Sequence, residues 1–543
     1  MAVTDKPRSF VHTVLCALWL VLTASVAGAA TEGKLYWKNG DMLPGTLLAT
    51  EGERLRWASP IFDRPMLLEA NKLESVVLNH TADKADEAFR VRTTDGDVLV
   101  VDWVAAEPEA FVFRSKRHGE VRLARSAVAR LTRIDHPDLL YLGPSGLAGW
   151  SAPNVGPLAG KDIEMVWAEG REGHLSTRKK GATLFRPFDP WPKVLQVSCS
   201  VATTSPRPGF VLALGQPAAD AVRVETWQDE LVAVYKNRFE PLAVLGQDDS
   251  QMGIRLVYRR EAGRLEVFDA AGKRLGSLDG IEQEESAVPG VLFRSRGEQL
   301  TLRRLEVRKG TSKAVSIRPL TQGLDQVHLI DGQVLEGVIG DSGPGQSLTV
   351  RHGEKVHQVP VEQVDRLRRS AKRVSTEDQV YLIYHDGSRI SGKLRSIGPD
   401  RAMIKTAYSP KPVMARLKGV QKIWLGPKTK NDDNRASLDK LYCEAGKLHG
   451  RLIGGGPGGA PIQWRPTGGV ESVGLSVDAN ARIIRSVEKS ASSHDPKKFG
   501  DVVYLRSHEV IPCRVVSVGE KFLVMHSAFS GEDRIPLEQV KAI

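Results

Sequence analysis

At 543 residues the chain is too long for one hydrophobic core, and length alone predicts about three to five domains. Its formal charge of +11 comes from Lys and Arg spread along the chain. That favours either contact with anionic polymers or a solvated basic surface, and it speaks against specific nucleic-acid recognition, which needs a dense basic stretch interleaved with aromatics.

Lys6 and Arg8 precede an apolar run from Val14 to Leu22 and then the small residues Ala27, Gly28 and Ala29. This order predicts a secretory signal peptide over 1–29. An uncleaved anchor is the alternative, because Phe10 to Ala30 carries no formal charge and is about long enough to span a bilayer. Cys16 follows Leu15 rather than a small residue, which argues against a lipoprotein acylation box. Later segments are not apolar enough to span, so the expectation is a protein exported to the periplasm or the extracellular side of the envelope. Without the leader the cysteines are Cys199, Cys443 and Cys513, too few for a disulfide-built scaffold. Whether Cys443 and Cys513, in neighbouring repeats, pair with each other is left open.

The stretch "KNGDMLPGTL", Lys38 to Leu47, joins an Asn-Gly turn to a second glycine five residues on. Near-copies occur at "TDGDVLVVDW", "IDGQVLEGVI" and "HDGSRISGKL", with weaker ones at "CEAGKLHGRL" and "RSHEVIPCRV". Such recurrence marks an array. The Asn-Gly step predicts a two-residue type I′ hairpin with both central residues at positive φ. The second glycine, inside the outgoing strand, predicts a bulge or sharp bend. Gly40, Gly45, Gly96, Gly332, Gly337, Gly387 and Gly392 are accordingly read as structural. Each copy holds about five short strands in roughly 45 residues. The copies are placed at 34–79, 88–135, 325–369, 378–426, 439–486 and 501–543, joined by polar linkers, as closed modules on tethers. A β-propeller is the competing architecture, and the unrelated segment between the second and third copies counts against it.

The pattern Asp-Gly, four residues, Gly, one residue, Leu is clearest at Asp386, Gly387, Gly392 and Leu394, and next at Asp331, Gly332 and Gly337. It resembles the first motif of Sm-like and related SH3-like small barrels. The second Sm motif, an Arg-Gly step, is missing here, as is the third-strand Asn used for RNA bases, so the resemblance implies the fold and not RNA binding.

Between 140 and 310 longer alternating strands dominate, with turns at Glu261 to Gly263 and Asp269 to Gly272. A two-sheet sandwich is predicted. The apolar strand Val194 to Val201, the hairpins of "YRREAGRLEVFDAAGKRLG" and the closing "VLFRSRGEQLTLRRLEV" resemble a concanavalin-like (laminin-G-like) jelly roll, including the variant in exported 3-keto-disaccharide hydrolases. The predicted fold class is all-β: a central jelly-roll sandwich flanked by six small barrels.

Glucanases of that fold carry acid and nucleophile on one strand, and Glu225 and Asp229 share a face here if their segment is one strand. The compact Glu-x-Asp-x-Glu order is absent, and Asp229-Glu230 reads equally well as a turn, so no catalytic residue is assigned. Trp227 and Trp167 are candidate sugar-stacking platforms, with core packing as the alternative for each. The run "GGGPGG", Gly454 to Gly459, lacks the Lys-Ser/Thr and the helix of a phosphate loop. His174, His328, His357, His385, His449 and His508 show no metal-ligand spacing, so no metal or other cofactor is called for; the jelly-roll resemblance alone implies that a Ca²⁺ in the sandwich loops remains open. The resulting expectation is a non-enzymatic envelope protein that binds a glycan or a protein through its sandwich, the alternative being a glycoside hydrolase.

Overall fold

A computed structural model describes residues 31–543, except 84, 153–161, 171–172, 190, 283–287, 311–319, 371–379, 427–437, 445, 455–460, 477, 487–498 and 528–531. The expected leader at 1–29 and all but the first residue of the glycine run lie outside the described residues. The protein is all-β, with antiparallel sheets throughout. None of the helices among the described residues is long and apolar enough to cross a membrane.

Its recurring unit is built on a hairpin that differs from the type I′ turn expected. In the first unit the Gly40 N–H donates to the Trp37 carbonyl at 2.9 Å, and the Trp37 N–H donates to the Asp41 carbonyl at 3.0 Å. Gly40 alone has positive φ, +85°, while Asn39 does not. This is a three-residue loop, a turn closed by one left-handed residue, so only the glycine is conformationally required. The same pair of hydrogen bonds recurs at Gly96, Gly332 and Gly387, and in the sixth unit His508 takes the left-handed position at φ 71°.

The second glycine has a different reason to be there. A Cβ on Gly45 would lie 2.1 Å from the Ala58 carbonyl oxygen; the matching distances are 2.4 Å at Gly337 to Arg351, 2.4 Å at Gly392 to Lys405 and 2.3 Å at Gly450 to Arg465. The second strand of the unit runs so close under the third that no side chain fits. Just beyond, the register slips at a bulge, between Leu47 and Ala49 in the first unit and between Leu394 and Ser396 in the fourth. The long strand Met42–Glu51 thereby pairs with Thr31–Trp37 through one half and with Arg54–Ala58 through the other. A short 3₁₀ turn such as Ala70–Lys72 then leads into the last strand, Leu73–Leu78, which pairs back on the first. Gly45→Val is expected to lower stability by about 1–3 kcal/mol through overpacking. Gly40→Asn, in open space at a φ that Asn tolerates, should stay within about 1 kcal/mol. Urea unfolding midpoints check the pair, and equal losses would refute the close-approach argument.

The units are not tethered beads. The last strand of the first unit pairs with the last strand of the fourth, Val76 opposite Ile423. The last strands of the second and third do the same, Leu131 opposite Leu367. An unpaired strand edge readily accepts another strand, and here the edges satisfy one another. The first four units thus share a 20-stranded sheet, and one hydrophobic cluster runs from Leu35 through Phe113, Leu367 and Ile423 into Trp464 and Leu475 of the fifth. The sixth unit has its own core of Val503, Cys513, Leu523 and Met525. Cys199, Cys443 and Cys513 are free thiols.

Turn carboxylates carry the seams. Asp41 accepts the His449 N–H at 2.6 Å and lies 2.7 Å from its Nδ1. Asp97 accepts the Ser391 N–H and the Tyr408 hydroxyl, both at 2.7 Å. Asp386 receives Arg117 Nη1 at 2.8 Å.

Between the second and third units stands a two-sheet jelly-roll sandwich. One sheet has eight strands centred on Leu300–Lys309 and Val194–Ala202; the other has six, in the order Thr183–Pro187, Val288–Ser295, Phe210–Gln216, Arg223–Trp227, Glu230–Tyr235, Arg238–Val244. Leu256, Leu305 and Val197 of the first sheet pack against Phe210, Phe293 and Val224 of the second.

Candidate functional site

Strand alternation divides the candidates. On Arg223–Trp227, Val224 and Thr226 point into the sandwich, where Val224 is fully buried and the Thr226 hydroxyl accepts the Phe210 N–H at 3.0 Å. Arg223, Glu225 and Trp227 therefore face outward from the six-stranded sheet. At one end of that face Phe185, Val211, Ala213 and Leu292 form a small apolar cluster with Ala218 and Ala221. Arg223 Nη1 ties down this loop by donating to the Ala218 and Ala219 carbonyls, each at 3.3 Å.

The other end carries aromatics. Phe239 lies opposite Val234 on the edge strand and is 56% exposed. Its ring centroid is 5.2 Å from that of Trp227, at an interplanar angle of 49°. Trp227 Nε1 donates to Glu225 Oε1 at 2.5 Å, which fixes the indole by its polar edge. Glu225 Oε2 lies 3.5 Å from both Arg223 Nε and Arg296 Nη1. Arg294 adds a third guanidinium, whose pKa falls through burial, with Arg223 and Arg296 also lowering it and Glu225 opposing. One carboxylate is therefore surrounded by three arginines and an indole. Such a border offers donors in fixed directions beside an aromatic platform.

Two expected site residues are corrected. Trp167 is 1% exposed and packs on Phe293, centroids 6.1 Å apart, inside the sandwich, so it meets no ligand. Asp229 does not share a strand face with Glu225: Trp227 pairs with Glu230, and Gln228, at φ 50°, and Asp229 form the loop between them. The Asp229 carboxylate lies 4.0 Å from Arg207 instead. Trp227 and Glu225 are brought together. Phe239, Arg294 and Arg296 were missed from the sequence, and the signal that finds them is cross-strand register rather than any local motif. Among the described residues no group of three or more His, Cys, Asp or Glu side chains is placed to hold a metal ion.

No protein-family model matches the chain, and no curated protein matches it. Solved structures do. Arcelin-5, a lectin-like defence protein from Phaseolus vulgaris, is similar at 8% identity and TM-score 0.23, over 31% of this chain and 96% of that one. A legume lectin-like domain from Entamoeba histolytica is similar at 10% identity and TM-score 0.23, over 30% and 92%. A bifunctional GH43-CE protein of Bacteroides eggerthii is similar at 11% identity and TM-score 0.25, over 51% and 44%. These likenesses are too distant to bear on which ligand this chain takes.

Proposed function

We propose that this is an exported, non-enzymatic protein of the cell envelope that binds a glycan through the outer six-stranded face of its sandwich, the six flanking units being small SH3-like or Sm-like barrels. The observation that supports this reading is the pairing of a half-buried Trp227 and an exposed Phe239 with the buried, arginine-bordered Glu225. Aromatic faces pack on the C–H groups of a pyranose ring, while a carboxylate and guanidiniums hydrogen-bond its hydroxyls. The glycoside hydrolase alternative gains nothing from Glu225. A glycosidase places a second carboxylate across the cleft from the first, and Asp229 sits in a loop facing Arg207. The fused units act here as a broad rigid mount rather than as spacers.

The full chain on a glycan array tests the reading. Binding to at least one saccharide class is expected, and Trp227→Ala should weaken it about tenfold, the loss of about 1.4 kcal/mol of stacking. An array without signal, or unchanged affinity in the variant, would reject the site.

A further inference from the structure

On the opposite side of the sandwich, the outer face of the eight-stranded sheet closes against the second and third units over a cleft of about 530 Å³. The roof of this cleft is unusual in its register. Across the seam of the two units Arg92 lies opposite Arg130, and Arg130 opposite Arg368. Leu131 and Leu367, next along the strands, are buried in the core, so the arginine row points the other way, to the sandwich. Like charges placed directly opposite on neighbouring strands destabilise the pairing. The floor opposite adds Arg304 and Arg308 rather than a compensating acidic row.

Carboxylates in the cleft are already engaged. Glu306, 4% exposed, receives Arg304 Nη2, Arg366 Nη2 and, at 2.7 Å, Arg308 Nε. Asp365 takes Arg308 Nη1 at 2.9 Å. Asp269 and Asp331 accept backbone N–H groups of their own turns, from Lys273 at 2.8 Å and Gln333 at 2.9 Å. Asp138 lies 3.8 Å from His136. Among the described residues that line the cleft, His328 Nε2, Arg308 Nη2 and Arg366 Nε are buried without a hydrogen-bond partner. His328 is 6% exposed, and burial, with Arg366 and Arg368 beside it, keeps the ring neutral by lowering its pKa to about 3. Burial and the same positive surroundings, Arg366 and Arg304, lower the pKa of Arg368. In both groups burial is the larger cause and the neighbouring guanidiniums add to it.

We propose that this cleft binds a phosphate or sulfate group, seated against Arg368, Arg130 and Arg304 with the neutral His328 as an additional hydrogen-bond donor. Guanidiniums hold such tetrahedral oxyanions through directed, charge-assisted pairs of hydrogen bonds. The oxyanion would relieve the like-charge row and supply partners for the buried polar atoms. The group is either a free inorganic anion or an ester on a saccharide, and the chemistry recognised is the same. Because the cleft and the Trp227 face lie on opposite sheets, either reading can fail without the other.

The test is isothermal titration of the full chain with inorganic phosphate, inorganic sulfate, a sulfated disaccharide and its unsulfated parent, at constant ionic strength set by chloride. Saturable binding of at least one oxyanion is expected, with the parent disaccharide silent. Free anions binding alone identify an inorganic ligand, whereas a preference for the sulfated sugar identifies an ester. Arg368→Gln should weaken binding about tenfold or more, with Arg130→Gln as the second variant should the first not fold. Absence of saturable binding for every anion up to millimolar concentration would overturn the proposal. So would unchanged affinity in a folded variant, which would leave the arginines as a purely structural seam.

Discussion

Arg117→Met is expected to lower the unfolding free energy by about 3–5 kcal/mol, the loss that follows when one partner of a buried ion pair is removed and the other stays behind. Arg117 lies on the second unit and its side chain is only 6% exposed. It donates Nη1 to Asp386 at 2.8 Å and to the Ser388 hydroxyl at 2.6 Å, and Nη2 to the Asp83 carbonyl at 2.7 Å. Its guanidinium also stacks 4.4 Å over the Tyr384 ring. Burial alone would raise the Asp386 carboxyl, but Arg117, with the Ser388 hydroxyl and N–H, holds it below the ordinary carboxylate range. Without Arg117 that carboxylate, 22% exposed, loses its charge partner at the seam. Methionine keeps the unbranched stem, so the loss reads out charge and hydrogen bonding more than volume. Urea unfolding of Arg117→Met, Asp386→Asn and the double variant checks this as a cycle. A coupling energy near zero would mean that the second and fourth units dock through sheet pairing and apolar packing alone.

That seam was not legible in the sequence, whereas the unit it joins largely was. Turn glycines and periodicity-two strands are local signals, so the recurring hairpin could be read from residues close together in the chain. Even so, the turn type was misread. Asn-Gly is the commonest type I′ cue, but Trp37 pairs with Asp41 across a three-residue loop, and hydrogen-bond register is not written in a dipeptide. The second glycine was recognised as a bend, yet the carbonyl of Ala58 that demands it becomes visible only once the third strand is in place. Contacts between units are further out of reach. Asp41 meets His449 across 408 positions and Asp97 meets Tyr408 across 311, with nothing in either neighbourhood to announce the other.

The candidate site divides along the same line. Trp227 and Glu225 lie two residues apart on one strand, so their shared face followed from alternation alone. Asp229 was lost because a two-residue turn interrupts that alternation. Arg294 lies on, and Arg296 just past the end of, a strand that is distant in sequence and adjacent in space only through Phe210–Gln216. A tryptophan between small apolar neighbours, as Trp167 is between Val166 and Ala168, looks the same whether it faces solvent or a core, and only the opposing Phe293 decides it.

Acidification from pH 7 to pH 5 should cost on the order of 4–5 kcal/mol of stability, chiefly through three histidines held neutral by the fold. His118, 4% exposed, is held neutral with its pKa lowered to about 4, by burial first and then by Arg117, while the Met414 carbonyl and Asp386 oppose the shift. His328 is lowered to about 3 by burial, Arg366 and Arg368, with Arg308 adding to the effect and Glu306 opposing. His174 is lowered to about 3 as well, by burial first and then by Arg92, Arg389 and Arg303. In the unfolded chain each takes a proton near pH 6.5, so below that pH the unfolded state binds more protons and stability falls. By pH 5 each contributes a loss of about 2 kcal/mol. Asp97 acts in the opposite sense. Burial and the neighbouring Asp95 raise its carboxyl to about 6, against hydrogen bonds from Ser391 and Tyr408, so the folded state takes up a proton first and gains about 1.4 kcal/mol by pH 5. Glu306 and Asp386, whose carboxyls are held low, contribute to the pH dependence only below the ordinary carboxylate range. The interval from pH 6.5 to 5 therefore isolates the histidines against Asp97. Urea midpoints in a phosphate-free buffer should fall across it for the parent chain. For His118→Gln combined with His174→Gln and His328→Gln the slope should flatten or reverse, because the Asp97 contribution then remains with little to oppose it. A triple variant that keeps the parental slope would show that the three rings are protonated in the folded state, and would remove the neutral donor from the oxyanion cleft as well.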